Sequence, residues 1–176
     1  NKTVTAGGGG MVVTNDAVLA QRAKHLSAQA RPGTDYIHDE VGYNYRMTNI
    51  NAAVGLAQLE RLEEMVAAKR RIAASYNNAF MALDNIQPMP EAQWATSSCW
   101  LYSVRVPSAK DAASLVQTCG QMNVGARSFW RTLSWQKPYA TSPNLLNGVA
   151  GRLSGCVVSL PCSSSLNEYD QIRVIK

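Results

Sequence analysis

Lys2 stands five residues ahead of the run Gly7–Gly10, and an amine beside bare backbone points to a carbonyl held as an imine. A lysine amine condenses with carbonyls, and glycine lets the backbone approach a bulky group where any Cβ would collide. A second concentration of reactive side chains lies in residues 31–46, with Tyr36, His38, Asp39, Tyr43, Asn44, Tyr45 and Arg46 together. Loops carry functional groups more often than cores do. Arg46 falls where a helix is about to begin, and a cation there opposes the helix dipole, so an anionic partner is expected for it. The neighbours His38 and Asp39 fit either a structural pairing or a direct chemical role.

These groups need elements to hold them. Met11–Val13 reads as a short strand that hands over to a helix capped by Thr14 or Asn15. Val18, Leu19, Ala23, Leu26 and Ala30 form its apolar stripe, and it must end before Pro32-Gly33. Residues 31–46 then make an irregular, aromatic-rich loop. Thr48 or Asn49 caps the next helical stretch, which runs without proline to Leu83. Its length predicts two abutting helices, with an apolar stripe through Ile50, Val54, Leu59 and Met65 and with charged residues on exposed faces. Asp84 to Trp94, with Pro88 and Pro90, reads as a linker. Leu101–Val106 alternates as a half-buried strand does and stops at Pro107. Ser108 opens a helix to about Gln121 with Ala112, Leu115, Val116 and Cys119 inside. Val124–Trp130 and Cys156–Leu160 predict two more strands, and Leu166–Ile175 a closing helix. Residues 97–176 are thus expected to bury one another as an α+β unit.

Composition narrows the class. A chain of 176 residues can bury a real core. Charged residues make up 16%, below the usual quarter, which fits either a chain that hides surface against something else or ordinary variation. The net charge is +5, and Lys69-Arg70-Arg71 is the one basic triplet. It falls in a helical stretch and reads as a solvated face, so no nucleic-acid partner is expected. Cys99, Cys119, Cys156 and Cys162 form no CxxC pair, and only His25 and His38 accompany them, so no metal site is expected. No apolar run approaches the roughly 18 residues of a membrane span. Reduced thiols in the cytoplasm and no membrane partner are the expectation.

The segments NKTVTAGGGGM (1–11) and YIHDEVGYNYRMTNINAAVGLAQLERL (36–62), joined by GARSFWRTL (125–133) and VVSLPCSSSL (157–166), resemble the DegT/DnrJ/EryC1/StrS family of pyridoxal-phosphate-dependent nucleotide-sugar aminotransferases. The resemblance implies the α/β fold-type I transferase architecture and, of it, the C-terminal portion. Residues 1–47 would be the end of the cofactor-binding large domain, 48–94 linking helices and linker, and 95–176 a small α+β domain. It places the imine-forming lysine at Lys2, with the later task of moving the substrate proton. Relatives that carry histidine there dehydrate instead, so Lys2 favours amino transfer. Asn44 and Arg46 would reach a neighbouring subunit's cofactor phosphate, which wants the planar fork of donors that guanidinium offers.

His38, Tyr43, Arg127, Trp130 and Arg131 would line the substrate region, with cations on a diphosphate and the indole on a ring; Trp130 packing the small domain is the alternative. KHLSAQAR (24–31) and the FWR tripeptide are closest to the branch that acts on nucleotide-linked 4-keto-6-deoxy sugars, with glutamate as amino donor. Gly8 departs from the family's commoner glutamate. The resemblance further implies a homodimer, and it leaves about half of the expected enzyme ahead of Lys2, including the aspartate that the cofactor ring requires. The chain alone is therefore expected to be inactive, and the alternative is a catalytically silent module that self-associates.

Overall fold

The computed structural model describes residues 2–176, and the chain divides into two compact units, Asn1–Leu62 and Glu63–Lys176.

In the first unit, α1 (Ala17–Ser27) is capped by Asp16, whose carboxylate accepts from the amides of Val18 and Leu19. The cap is thus neither Thr14 nor Asn15: Thr14 instead accepts from the Asp16 amide through its hydroxyl, one step outside the helix. Helix α1 stops at Ser27, and Gln29 and Ala30 turn the chain with positive φ of 66° and 50°. Ala30, expected on the helical stripe, is instead a buried loop residue, while Val18 and Leu19 are exposed. The predicted strand Met11–Val13 does not form, and its three side chains are at least 75% exposed. A strand needs a partner for its amides and carbonyls, and among the described residues none pairs with it. Helix α2 (Asn49–Glu60) begins at Thr48, as expected, and buries none of its residues. The apolar stripe through Ile50, Val54 and Leu59 therefore lies in solvent.

The second unit starts in α3 (Leu62–Phe80), which Arg61 separates from α2. Its inner face contributes Ile72, Ala73, Tyr76 and Phe80 to the core. A four-stranded antiparallel sheet provides the other wall, in the order β1 (Gln87–Pro88), β2 (Tyr102–Arg105), β4 (Val157–Leu160), β3 (Arg127–Ser128). The linker thus holds an edge strand, where Pro88 lacks only a donor that an edge can spare. β2 does not alternate: Tyr102, Ser103 and Val104 are all buried. Ser103 tolerates this because its hydroxyl meets that of Ser159 on β4 at 2.9 Å.

Helix α4 (Ala109–Gln121) is capped by Ser108 and buries Ala112 and Cys119. α5 (Val149–Leu153) and α6 (Glu168–Ile175) complete the unit. Gln171 of α6 donates from inside the core to the carbonyl of Ile72 at 2.8 Å, which pins α6 to α3. No helix among the described residues is long and apolar enough to cross a membrane.

Candidate functional site

The amine-bearing segment is positioned by the start of α2. Thr48 caps the helix by accepting from the Asn51 amide, and its hydroxyl donates to Asn51 Oδ1 at 2.5 Å. That bond orients the Asn51 side chain, so its Nδ2 donates to the carbonyl of Ala6 at 2.5 Å. A Cβ added at Gly55, one turn further on, would lie 3.3 Å from that of Ala6. Lys2 is exposed at the head of this tethered segment. Gly7 and Gly9 take positive φ of 77° and 111°, a conformation that favours glycine. A Cβ added at Gly8 or Gly10 would meet nothing within 4 Å, so this stretch of backbone has room for a bulky group.

The loop carrying His38, Tyr43, Asn44 and Arg46 is held against the C-terminal end of α1. Asn44 bridges to Ala28, and the amides of Tyr43 and Tyr45 donate to the carbonyls of Leu26 and Ser27 at 2.7 and 3.0 Å. Gly42 makes this possible, since a Cβ there would lie 2.3 Å from the nitrogen of Ala30. His38 and Asp39 do not pair with one another. His38 Nδ1 lies 2.7 Å from the carbonyl of Gln29. A carbonyl only accepts, so Nδ1 carries the proton and Nε2 of the neutral ring is left as an acceptor. Asp39 instead meets His25 Nε2 at 2.7 Å, and Glu40 is clasped by the Arg22 guanidinium. That contact raises the pKa of Arg22 further. Tyr43 and Tyr45 stack at 5.2 Å. With Arg46 and Met47 they line an apolar trough of about 690 Å³ against Val12 and Leu26.

In the second unit, Arg127 lies on β3 opposite Ser159, and Trp130 and Arg131 follow directly. All three are exposed. The Trp130 ring stands 4.8 Å from Phe129 and 5.7 Å from Trp100. Sequence reasoning missed Trp100, although its place just ahead of β2 was visible. Asn51 was missed as well; the Thr48-to-Asn51 spacing of a capping pair was its signal.

The chain matches the DegT/DnrJ/EryC1/StrS aminotransferase family over residues 1–176. The chain belongs to this family. It is 34% identical to the GDP-perosamine synthase of Caulobacter vibrioides, over 99% of the chain and 48% of that protein. It is 37% identical to EpsN of Bacillus subtilis, named provisionally as a pyridoxal phosphate-dependent aminotransferase, over 100% of the chain and 47% of EpsN. Among solved structures, a family aminotransferase from Brucella abortus shares 28% identity at a TM-score of 0.75, covering 92% of the chain and 43% of that structure. The sugar aminotransferase CalS13 of Micromonospora echinospora superposes at 0.83 over 98% of the chain and 47% of its own, and at 24% identity it supports the fold. The fold is therefore that of the fold-type I α/β transferases. The chain spans about half the length of the relatives it matches.

Proposed function

We propose that this chain is the lysine-bearing portion of an aminotransferase that moves an amino group from glutamate to a keto carbon of a nucleotide-linked deoxy sugar. The observation that carries the reading is Lys2 itself: an exposed amine at the head of an open glycine segment, in a chain that matches the DegT/DnrJ/EryC1/StrS aminotransferase family over residues 1–176.

The residues present suit pyridoxal phosphate. Lys2 offers the amine, the backbone at Gly8 and Gly10 has space, and Asn44 and Arg46 offer donors for a phosphate dianion. When bound, that cofactor supplies an electron-withdrawing ring that makes a proton on the adjoining carbon removable. Lys2 Nζ would hold the cofactor and move that proton. Asn44 and Arg46 would serve the phosphate, by the family's habit that of a partner copy. In the first unit His38, through the acceptor at Nε2, and Tyr43 are proposed substrate contacts; in the second unit Arg127, Trp130 and Arg131 are.

Taken alone, the chain is proposed to be inactive. Lys2 lies in solvent, and positioning and electrostatics that act as a unit fail together when one part is missing. Adding pyridoxal phosphate to the isolated chain should give no stable visible absorbance band. Nor should a 4-keto-6-deoxy nucleotide sugar with glutamate turn over. A stable band that disappears in Lys2→Ala, accompanied by turnover, would overturn the inactivity while upholding the role of Lys2.

A second reading has an observation of its own. The first unit leaves Met11, Val12, Val13, Ile50, Val54 and Leu59 exposed, a surface that favours self-association. In that reading the chain is a silent module that assembles with its own copies.

A further inference from the structure

Of the basic triplet expected to form a solvated face, Arg70 and Arg71 are exposed but Lys69 is not. Lys69 is only 7% exposed. Its Nζ donates to the carbonyl of Cys162 at 2.7 Å and to that of Trp100 at 3.2 Å. Arg70 Nε donates to the carbonyl of Ser97 at 2.8 Å. The Cys162 thiol adds a contact to the Trp100 carbonyl at 3.3 Å and accepts from the Tyr102 amide at 3.2 Å.

Burying an ammonium is costly unless its protons are taken up, and this one spends them on main-chain carbonyls. The result is a backbone held at Ser97, at Trp100 itself and at Tyr102. Side-chain direction follows from backbone placement. With Trp100 so held, its indole meets that of Trp130 at 5.7 Å and an inclination of 35°, and Phe129 closes on Trp130 at 4.8 Å. Trp130 nevertheless keeps 59% of its surface in solvent. Three rings that pack together and still present an open face, with exposed Arg127 and Arg131 beside them in the chain, match the chemistry of a flat heterocycle carrying phosphates.

We propose that Lys69 is a positioning residue that sets Trp100 against Trp130, and that the two indoles form the stacking surface for the nucleobase of the sugar nucleotide. The ligand half of this inference rests on the nucleotide-sugar reading above; the positioning half does not. Trp100 is thereby a substrate contact, and Lys69 acts only through it.

The test uses residues 1–176 with two readouts. Coupled indoles give a paired band in circular dichroism without any ligand. That band should fall by more than half in Lys69→Met, as it does in Trp100→Phe, while the helical signal stays. A band that survives in a folded Lys69→Met overturns the positioning role. The second readout is quenching of tryptophan fluorescence by guanosine diphosphate, with uridine and thymidine diphosphates and pyrophosphate alongside. Trp100→Phe should weaken nucleoside diphosphate binding about tenfold and leave pyrophosphate unchanged.

Trp100→Phe keeps every backbone bond described above, so this arm stands even where Lys69→Met does not fold. Unchanged nucleotide affinity in Trp100→Phe overturns the stacking surface. If no nucleoside diphosphate binds the unaltered chain while the paired band still falls in Lys69→Met, the nucleotide reading fails and the positioning role stands.

Discussion

At Gly42 a single hydrogen atom decides whether the loop of candidate site residues can close. An alanine there would place its Cβ 2.3 Å from both Gln29 C and Ala30 N, and these backbone atoms are held by their own turn. Gly42→Ala should destabilise the loop by about 1–3 kcal/mol. Hydrogen exchange at the amides of Tyr43 and Tyr45 should then approach that of open chain, and retained protection would refute the steric argument. Tyr102 gives a pH test. Burial, with Cys99 nearby, raises its phenol to about 12, and burial raises Tyr76 in the same direction. A folded state that holds a proton above the free phenol's value near 10 is favoured below that value and loses the advantage as pH climbs. The urea midpoint of the second unit should therefore fall between pH 10 and 12, less steeply in Tyr102→Phe; an equal slope in both would assign the loss to other groups. Several residues of the candidate site could be named from type and spacing, because a lysine before glycines and GYNYRM announce themselves. The work of Asn51, Lys69 and Trp100 could not, since each depends on a carbonyl or ring supplied from far along the chain.

Among the elements, α3 is where the sequence pattern misleads most. Read along the chain it belongs with α2, yet its inner face supplies Tyr76 and Phe80, whose rings stack at 5.7 Å and pack on Tyr102. Residues 97–176 therefore do not bury one another unaided. A chain beginning at Glu63 should give a cooperative thermal transition, and one beginning at Ser97 should give none. Phe80→Ala should cost roughly 3–5 kcal/mol, measured by urea denaturation; a loss below 1 kcal/mol would remove α3 from the core. The helices were legible because caps and stripes are local: Thr48, Ser108 and the closing helix fell within a residue or two. Strands were less so. Of Val124–Trp130, Arg127 and Ser128 form the described strand and Phe129 adds one amide bond to the Val157 carbonyl, and Met11–Val13 pairs with nothing described. A strand is a relation between two segments, and one segment's composition cannot state it.

On the scale of the molecule, the two units are unequal in what they bury. The second has a continuous core, while among the described residues of the first only Ala30 is buried. Exposed apolar side chains in such number favour association. Light scattering at tens of micromolar should find dimers or larger assemblies, and Val54→Lys with Leu59→Lys should shift them toward monomer. A monomer in the unaltered chain would count against the self-associating reading. The sheet order also has a consequence in time. β2 is flanked by β1, about fifteen residues behind it, and by β4, about fifty residues ahead. At a synthesis rate of about 5–20 residues per second, β2 waits roughly 3–10 seconds for β4. Through that interval one edge of a strand bearing Tyr102 and Val104 lies open on the ribosome. Cellular yield of this chain should therefore depend on translation speed between Pro107 and Cys156, and on chaperones that cover unpaired strands, more than on the stability of the finished fold.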